Sequence, residues 1–181
     1  IPNPFPHKRQ NHICALFSYK DKTIRGLVSE MKFKQKKFAY KIFGELLYKT
    51  ISADMKRNFP NTQIILAPTP IHIYTRLMRG YNQTDLLCRE IIKHDTQNLF
   101  IYIPKAILKN KITKSQKHLA GKEKRLHNLQ GSFSVTNPTK ISEKIIVVID
   151  DVWTTGATLS EITDTLYKSG AGKVFCYAIA H

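Results

Sequence analysis

Two periods of apolar and polar residues follow one another along the chain, and together they predict an α/β fold. Residues 145–149 (IIVVI) are continuously apolar and β-branched, which is typical of a strand buried on both faces of a parallel sheet. In the next segment, Leu159, Ile162 and Leu166 lie at helical spacing, and Gly170 marks the helix end. Residues 173–181 then return to an apolar run. The C-terminal part of the chain is therefore predicted to be a β-α-β unit.

Similar patterns occur upstream and predict a single α/β domain with a mostly parallel central sheet flanked by helices. We expect this domain to cover residues 13–181 after a loose N-terminal arm at 1–12. Within it, residues 13–60 are predicted to form an accessory or hood element, and the lysine-rich segment 109–131 a flexible loop. The predicted upstream elements are a strand at 13–21, helices at 23–33 and 36–51, a strand at 62–70 stopped by two prolines, an arginine-rich loop, a helix at 84–94 and a β-rich run at 99–108.

Composition narrows the class of protein. The chain has 181 residues, enough for one buried core, and no apolar run approaches the length of a membrane span. Its three cysteines, Cys14, Cys88 and Cys176, are far apart, so they predict neither a disulfide framework nor a four-ligand zinc site. A soluble protein of the reducing cytoplasm is the simpler expectation.

The charge is strongly basic: 29 Lys and Arg against 13 Asp and Glu give a formal net charge of +16. Such a balance favours anionic partners, either phosphates or nucleic acid. Lysine-rich solvated helix faces explain the same count equally well, so charge alone does not identify the partner.

The most informative stretch is IIVVIDDVWTTGATLSE, residues 145–161, where two acids end the apolar strand and a Thr-Thr-Gly turn follows. In a parallel sheet, ligands bind beyond the carboxyl ends of the strands, which is where Asp150 and Asp151 fall. The turn from Thr154 to Thr158 precedes a helix, whose free N–H groups and dipole favour a phosphate. Carboxylates beside a phosphate nest suit a ligand with a phosphate at one end and vicinal hydroxyls or a cation next to it. A ribose 5-phosphate has that shape.

Each part alone has an ordinary explanation, because an Asp at a strand end is often a cap and Thr-Thr-Gly is a common turn. The ordered combination is more specific. It is neither a Walker A loop, which has a Lys after its glycine, nor the three-glycine dinucleotide fingerprint.

The segment VVIDDVWTTGAT resembles the phosphoribosyl pyrophosphate (PRPP) signature of type I phosphoribosyltransferases. The segment APTPIHIYTRLMRGYNQTDLL is similar to the corresponding motif of the ComF family, the competence-protein branch of that fold, and includes Arg76, Arg79, Asn82 and Gln83. The flanking segments YKDKTIRGLVSEMKFKQ and TKSQKHLAGKEKRLHNLQGSF also follow that family's order of motifs. The resemblance covers most of the chain, from about residue 13 to residue 181.

This resemblance implies a set of site residues. Asp150 and Asp151 would hold the ribose hydroxyls and form the catalytic set with Arg79. The 5-phosphate and pyrophosphate would be held by Thr154, Thr155, Gly156, Ala157, Thr158, Pro68, Thr69, Pro70 and the loop contacts Lys111, Gln116, Lys122 and Arg125. Ordinary surface charge is the alternative for Arg76 and Arg79, and a plain linker is the alternative for segment 109–131. Mg²⁺ is expected to bind through the oxygens of PRPP, with Asp150 and Asp151 as candidate protein contacts.

Two features depart from the family pattern. ComF-like proteins commonly begin with a cysteine-rich zinc module, and no such cysteines precede Cys14 here, so no zinc role is carried over. Trp153 stands where the PRPP signature usually has an aliphatic or small residue. An indole beside the phosphate loop is expected either to alter ligand fit or to offer a stacking face.

Three functions compete on this reading. The first is a phosphoribosyltransferase that transfers phosphoribose from PRPP to a nitrogen acceptor with release of pyrophosphate. The second is a non-catalytic module of the same fold that binds single-stranded DNA during natural transformation, with the competence helicase or other DNA-uptake proteins as partners. The third is another phosphosugar binder whose acids hold a metal.

Overall fold

The computed structural model describes residues 8–10, 12–34, 36–111 and 129–181, with the side chains of 33 and 34 left aside. Its elements are β1 (Lys8–Gln10), β2 (Ile13–Phe17), α1 (Lys22–Lys34), α2 (Lys37–Asn58), β3 (Ile64–Pro68), α3 (Ile73–Arg79), α4 (Gln83–His94), β4 (Phe100–Tyr102), β5 (Ile107–Lys109), β6 (Phe133–Val135), α5 (Pro138–Ile141), β7 (Ile145–Val152), α6 (Ala157–Lys168) and β8 (Lys173–Ala180).

The main sheet has the strand order β1-β2-β8-β7-β3-β4. Every neighbouring pair is parallel except β1 with β2, which is antiparallel at the edge. The predicted α/β class with a mostly parallel, helix-flanked sheet is thus confirmed. Because β7 lies between β3 and β8, the acids that end it stand in the middle of the carboxyl edge of the sheet.

The strands divide their side chains between two cores, as a period of two requires. On one face, Leu66, Val147 and Ile149 of the sheet pack against α1, α2 and α4. On the other face, Ile65 and Val148 pack against α6 and the small β5-β6 sheet. Both faces of β7 are covered over residues 146–149, so its continuous apolar run is explained.

The first helices also belong to the main core. Strand β2 pairs with β8, and Phe43, Leu47 and Ile51 of α2 are buried against the sheet. Helix α2 lies so close to α4 that an added Cβ on Gly44 would stand 2.4 Å from Glu90 Cβ. Of the predicted hood element at 13–60, Tyr19 and the end of α1 border the cleft described below.

Two segments contain regular structure that the sequence patterns do not predict. Residues 8–10 of the expected loose arm pair with β2, and Arg9 forms an ion pair with Asp54, whose Oδ2 also accepts a 2.8 Å hydrogen bond from Tyr177. A strand of three residues is too short to show an alternation of apolar and polar positions. The expected arginine-rich loop contains α3. This helix has no buried residue, so the sequence shows no apolar stripe that would predict it. The predicted flexible loop falls mostly on residues 112–128, outside the described residues.

Candidate functional site

A cleft of about 510 Å³ opens at the carboxyl edge of the sheet, above the ends of β3 and β7. The cleft is bordered by the end of α1, the loop after β3, the start of α4 and the end of β5. Its lining residues are Tyr19, Lys32, Thr69, Pro70, Ile71, Arg79, Asn82, Gln83, Thr84, Lys109, Asp150, Asp151, Val152, Thr154 and Thr158.

The acidic pair lies in this cleft, and lysines from two other elements offset its charge. Asp150 Oδ1 accepts a 2.9 Å hydrogen bond from the backbone N–H of Asp151. Asp151 Oδ2 lies 3.0 Å from Lys32 Nζ of α1. Burial and the neighbouring Asp151 raise the pKa of Asp150 to about 7, while the backbone hydrogen bond, Lys32 and Lys109 act in the opposite direction. Burial lowers the pKa of Lys109, and Asp150 partly restores it. The repulsion between adjacent carboxylates is thus partly relieved by cations that the local sequence does not contain.

The turn after β7 leads directly into the N-terminus of α6. Gly156 adopts φ +78°, and α6 begins at the next residue without a side-chain cap. The N–H of Ala157 is 3.5 Å from Thr155 Oγ1. The first N–H groups of a helix have no intrahelical acceptor, so this turn presents donors and the positive end of the helix dipole. A cavity of about 20 Å³ lies inside the turn, lined in part by Asp150, Thr154, Gly156 and Thr158.

Trp153 is buried beneath the turn and is only 4% exposed. Its ring meets that of His181 edge-on at 4.4 Å between centroids, and Lys8 Nζ lies 5.0 Å from the indole centroid. A Cβ added to Gly156 would stand 3.0 Å from Trp153 Nε1. The ring is largely covered and borders the small cavity inside the turn, and both expected roles of the indole stay predictions. The indole supports the turn from the protein interior.

Thr69, directly after β3, forms the wall of the cleft that faces the turn after β7. Its N–H donates to the carbonyl of Ile149 at 2.9 Å, and its own carbonyl accepts from Asn82 Nδ2 at 3.0 Å and from Thr84 Oγ1 at 2.7 Å. The Thr69 side-chain hydroxyl is buried and has no hydrogen-bond partner among the described residues. A buried unpaired hydroxyl is costly, which makes it a candidate ligand contact at the rim of the cleft.

The two arginines of α3 lie in different places. Arg79 lines the main cleft, whereas Arg76 lines an adjoining groove of about 210 Å³. The groove shares Pro70 and Lys109 with the cleft, and Lys105 adds a further cation.

The cleft thus brings together Asp150, Asp151, Arg79, Thr154, Thr158, Thr69 and Pro70 of the predicted residues, and the small cavity adds Gly156 and Ala157. Three predicted residues do not line either space. Pro68 is buried as the last residue of β3, Thr155 turns its hydroxyl to the backbone of Ala157, and Lys111 donates to the carbonyl of Gln130 at 3.0 Å. Gln116, Lys122 and Arg125 lie outside the described residues.

The chain is similar to proteins linked by name to competence and DNA use. It is 28% identical over 156 residues to Competence protein F of Haemophilus influenzae, covering 85% of this chain and 66% of that protein. It is 29% identical over 154 residues to the DNA utilization protein YhgH of Salmonella typhi, covering 82% of this chain and 63% of the relative. The sequence-based resemblance to the ComF family is confirmed by these relatives. The chain spans about two thirds of their length or slightly less, and no family model matches it.

Among solved structures, the chain is similar to hypoxanthine phosphoribosyltransferase from Trypanosoma cruzi, with a TM-score of 0.48 and 12% identity. The likeness covers 77% of this chain and 65% of that one.

The donor set around the cleft fits a divalent cation only in part. Among the described residues, no group of three or more His, Cys, Asp or Glu side chains could enclose a metal ion. Asp150 and Asp151 nevertheless offer carboxylate oxygens next to the candidate phosphate loop. This arrangement fits Mg²⁺ held mostly by a ligand's own oxygens, since Mg²⁺ commonly binds with few protein carboxylates. None of the described helices is long and apolar enough to cross a membrane.

Sequence reasoning missed several lining residues, above all Tyr19, Lys32 and Lys109. Lys32 and Lys109 lie in lysine-rich segments, where nothing distinguishes one lysine from its neighbours. Asn82, already named in the ComF-like motif, also carries a local signal, because its side chain caps α4 by accepting from the N–H of Thr84 at 3.2 Å.

Proposed function

We propose that this chain binds PRPP and acts as a phosphoribosyltransferase of the ComF family, transferring phosphoribose to a nitrogen acceptor with release of pyrophosphate. The observation that carries the proposal is the constellation in one cleft. A carboxylate pair stands between a glycine-based helix N-terminus and a wall that combines Arg79 with the unpaired hydroxyl of Thr69.

The ribose would lie over the end of β7. An ionised carboxylate accepts hydrogen bonds and donates none, so Asp150 and Asp151 suit the two vicinal hydroxyls of a ribose. The turn at Thr154 to Thr158 would hold the 5-phosphate with backbone N–H groups and threonine hydroxyls. These contacts fix the sugar at two points and so orient its C1 carbon.

The pyrophosphate would face the loop after β3. Strand β3 lies next to β7, so Thr69 and Pro70 stand about one strand spacing, roughly 5 Å, from the acidic pair. Arg79 presents a guanidinium, which matches phosphate oxygens bidentately. In the reaction, the bond from C1 to the pyrophosphate oxygen breaks with its electron pair, the bond from C1 to the acceptor nitrogen forms, and that nitrogen loses a proton. The cations of the cleft stabilise the charge that develops on the leaving group. Bound Mg²⁺ would supply further neutralisation of the phosphate oxygens.

Calorimetry with Mg-PRPP tests the binding step. Wild type is expected to bind, and a variant with both Asp150→Asn and Asp151→Asn is expected to lose that affinity. Asp164→Asn, an exposed position on α6, is the matched control and is expected to bind like wild type. A double variant that binds Mg-PRPP normally would contradict the ribose role. Loss of Mg²⁺ binding together with PRPP binding would instead favour a metal site formed by the two acids.

Turnover needs a second assay, since binding alone does not establish transfer. Release of pyrophosphate is measured with wild type, Mg-PRPP and a panel of nucleobases. Tight PRPP binding without pyrophosphate release for any base would count heavily against the enzyme.

A second candidate function is the binding of single-stranded DNA in the cytoplasm during DNA uptake. It is supported by the net charge of +16 and by the groove next to the cleft, where the described lining residues include Arg76, Lys105 and Lys109 but no acid. Tyr74 on α3 and Leu108 beside the groove are exposed and offer apolar surface for bases. The names of the relatives point the same way.

Titration with a labelled single strand at two salt concentrations tests this candidate. Binding is expected at low salt and should weaken steeply as salt rises, because phosphate contacts release counterions. Arg76→Ala with Lys105→Ala is expected to weaken binding, whereas Lys168→Ala, outside both the cleft and the groove, is expected to have little effect. No binding at low salt would end this candidate.

A further inference from the structure

The C-terminal end of α1 brings a lysine into the candidate cleft from the side opposite Thr69. Lys32 Nζ lies 3.0 Å from Asp151 Oδ2, and the two side chains are 26% and 18% exposed. A pair shielded to this degree is screened less than a surface ion pair. Lys32 also lines the cleft, so its ammonium can contact a molecule bound there.

Two tyrosine hydroxyls hold this end of the helix in place. Tyr40 of α2 donates to the carbonyl of Met31 at 3.1 Å, and Tyr81 donates to the carbonyl of Lys32 at 2.8 Å. Both carbonyls belong to the last four residues of α1, which have no intrahelical donor. The hydroxyls therefore cap α1 and fix the direction in which Lys32 leaves it. Tyr81 follows the Arg79 segment in the chain, so the same bond ties Lys32 to the opposite wall of the cleft.

The charges of the cleft explain why a lysine at this position would favour ligand binding. A ligand with several phosphates must approach two adjacent carboxylates, and every cation beside them reduces the repulsion. An ionised carboxylate has about four acceptor sites and an ammonium has three donors. The bond between Lys32 and Asp151 therefore leaves acceptor sites for a sugar hydroxyl and leaves N–H groups for the ligand.

We propose that Lys32 is a ligand-binding residue of the cleft, which holds Asp151 in place and donates to the bound sugar phosphate, and that Tyr81 is its positioning residue. This inference rests on the proposed function, because it takes the sugar to lie at Asp150 and Asp151. It adds α1, which nothing in the local sequence of the acidic pair indicates, to the binding machinery.

The experiment compares the affinity for Mg-PRPP of wild type, Lys32→Met, Lys32→Arg and Tyr81→Phe. Lys32→Met is expected to bind about tenfold more weakly, since removing a charged partner costs about 1.4 kcal/mol or more. Lys32→Arg keeps the charge and is expected to stay within about threefold of wild type. Tyr81→Phe is expected to weaken binding about threefold while Lys32 is still present, because only one hydrogen bond is removed. Tyr167→Phe, at an exposed tyrosine of α6 outside the cleft, is the matched control and is expected to bind like wild type.

A second ligand separates a local role from a general loss of structure. Inorganic phosphate, measured by competition, is expected to bind Lys32→Met as well as it binds wild type, because it needs only the turn before α6. Lys32→Gln and the melting temperatures of all variants guard against a folding defect of the Met variant.

Three results would overturn the inference. Lys32→Met and Lys32→Gln could bind Mg-PRPP within twofold of wild type, Lys32→Arg could be as weak as Lys32→Met, or inorganic phosphate could lose the same factor as Mg-PRPP. In each case wild type still binds Mg-PRPP, so the proposed function survives. Wild type that does not bind Mg-PRPP at all refutes the proposed function and this inference with it.

Discussion

Replacing Asp150 by Asn is expected to stabilise the folded protein at neutral and alkaline pH while abolishing its proposed ligand binding. The Asp150 carboxylate lies beside Asp151 at the end of a buried strand. Burial and the charge of Asp151 both disfavour the ionised form of Asp150. An Asn amide has the same shape, carries no charge and retains an oxygen that can accept the 2.9 Å bond from the backbone N–H of Asp151.

The magnitude follows from the displaced pKa. The pKa of Asp150 in the folded protein is raised from 3.8 to about 7. A carboxyl group with a raised folded pKa binds more protons in the folded than in the unfolded state, so stability falls as pH rises through this window and levels off above it. One pKa unit corresponds to about 1.4 kcal/mol, which gives an upper bound of about 4 kcal/mol. Roughly two thirds of that loss lies above pH 5, so about 2–3 kcal/mol is expected to be lost between pH 5 and pH 8.

Urea unfolding of wild type and Asp150→Asn at pH 5 and pH 8 measures this effect. The variant's advantage in the free energy of unfolding is expected to be about 2–3 kcal/mol larger at pH 8 than at pH 5. Asp164→Asn, on the exposed surface of α6, is expected to show no such difference between the two pH values. An Asp150→Asn variant whose advantage does not grow with pH would refute the electrostatic reasoning.

Three further predictions concern the loop and the core. Gly156→Ala is expected to lower the free energy of unfolding by about 1–2 kcal/mol because of its positive φ and the 3.0 Å approach to Trp153 Nε1, whereas Gly26→Ala, with open space around it, should raise it by about 0.5–1 kcal/mol. Urea unfolding checks both, and equal signs would contradict this account. Gly44→Ala is expected to cost about 1–3 kcal/mol, because its Cβ would stand 2.4 Å from Glu90 Cβ; an unchanged melting temperature would refute it. Trp153, the single tryptophan, is expected to change its fluorescence on Mg-PRPP binding, and a constant spectrum at saturation would argue against a ligand in the turn above it.

Periodicity located the elements with strong one-sided or two-sided burial and missed those without it. Strands β3, β7 and β8 and helices α1, α2, α4 and α6 coincide in type and approximate position with their predictions. The sequence pattern did not predict α3, because Ile73, Leu77 and Met78 are exposed rather than buried on one face. Its helix is set by His72, whose Nδ1 accepts from the N–H of Tyr74 at 3.1 Å, and by Gly80 at its end.

The sequence alone specified the centre of the candidate site. The strand, the acidic pair, the Thr-Thr-Gly turn and the following helix are continuous in the chain, so propensity and turn chemistry within about twenty residues are enough to order them. The local sequence therefore determines this part of the site.

The tertiary structure decided what surrounds that centre. Lys32, Lys109 and the unpaired hydroxyl of Thr69 come from three elements distant in sequence, and the strand order places them around Asp150 and Asp151. It also buried Trp153 under the turn and kept Pro68 out of the cleft. No local pattern marks these positions, because charge compensation and burial depend on which strands become neighbours, and that is settled only when the whole sheet forms.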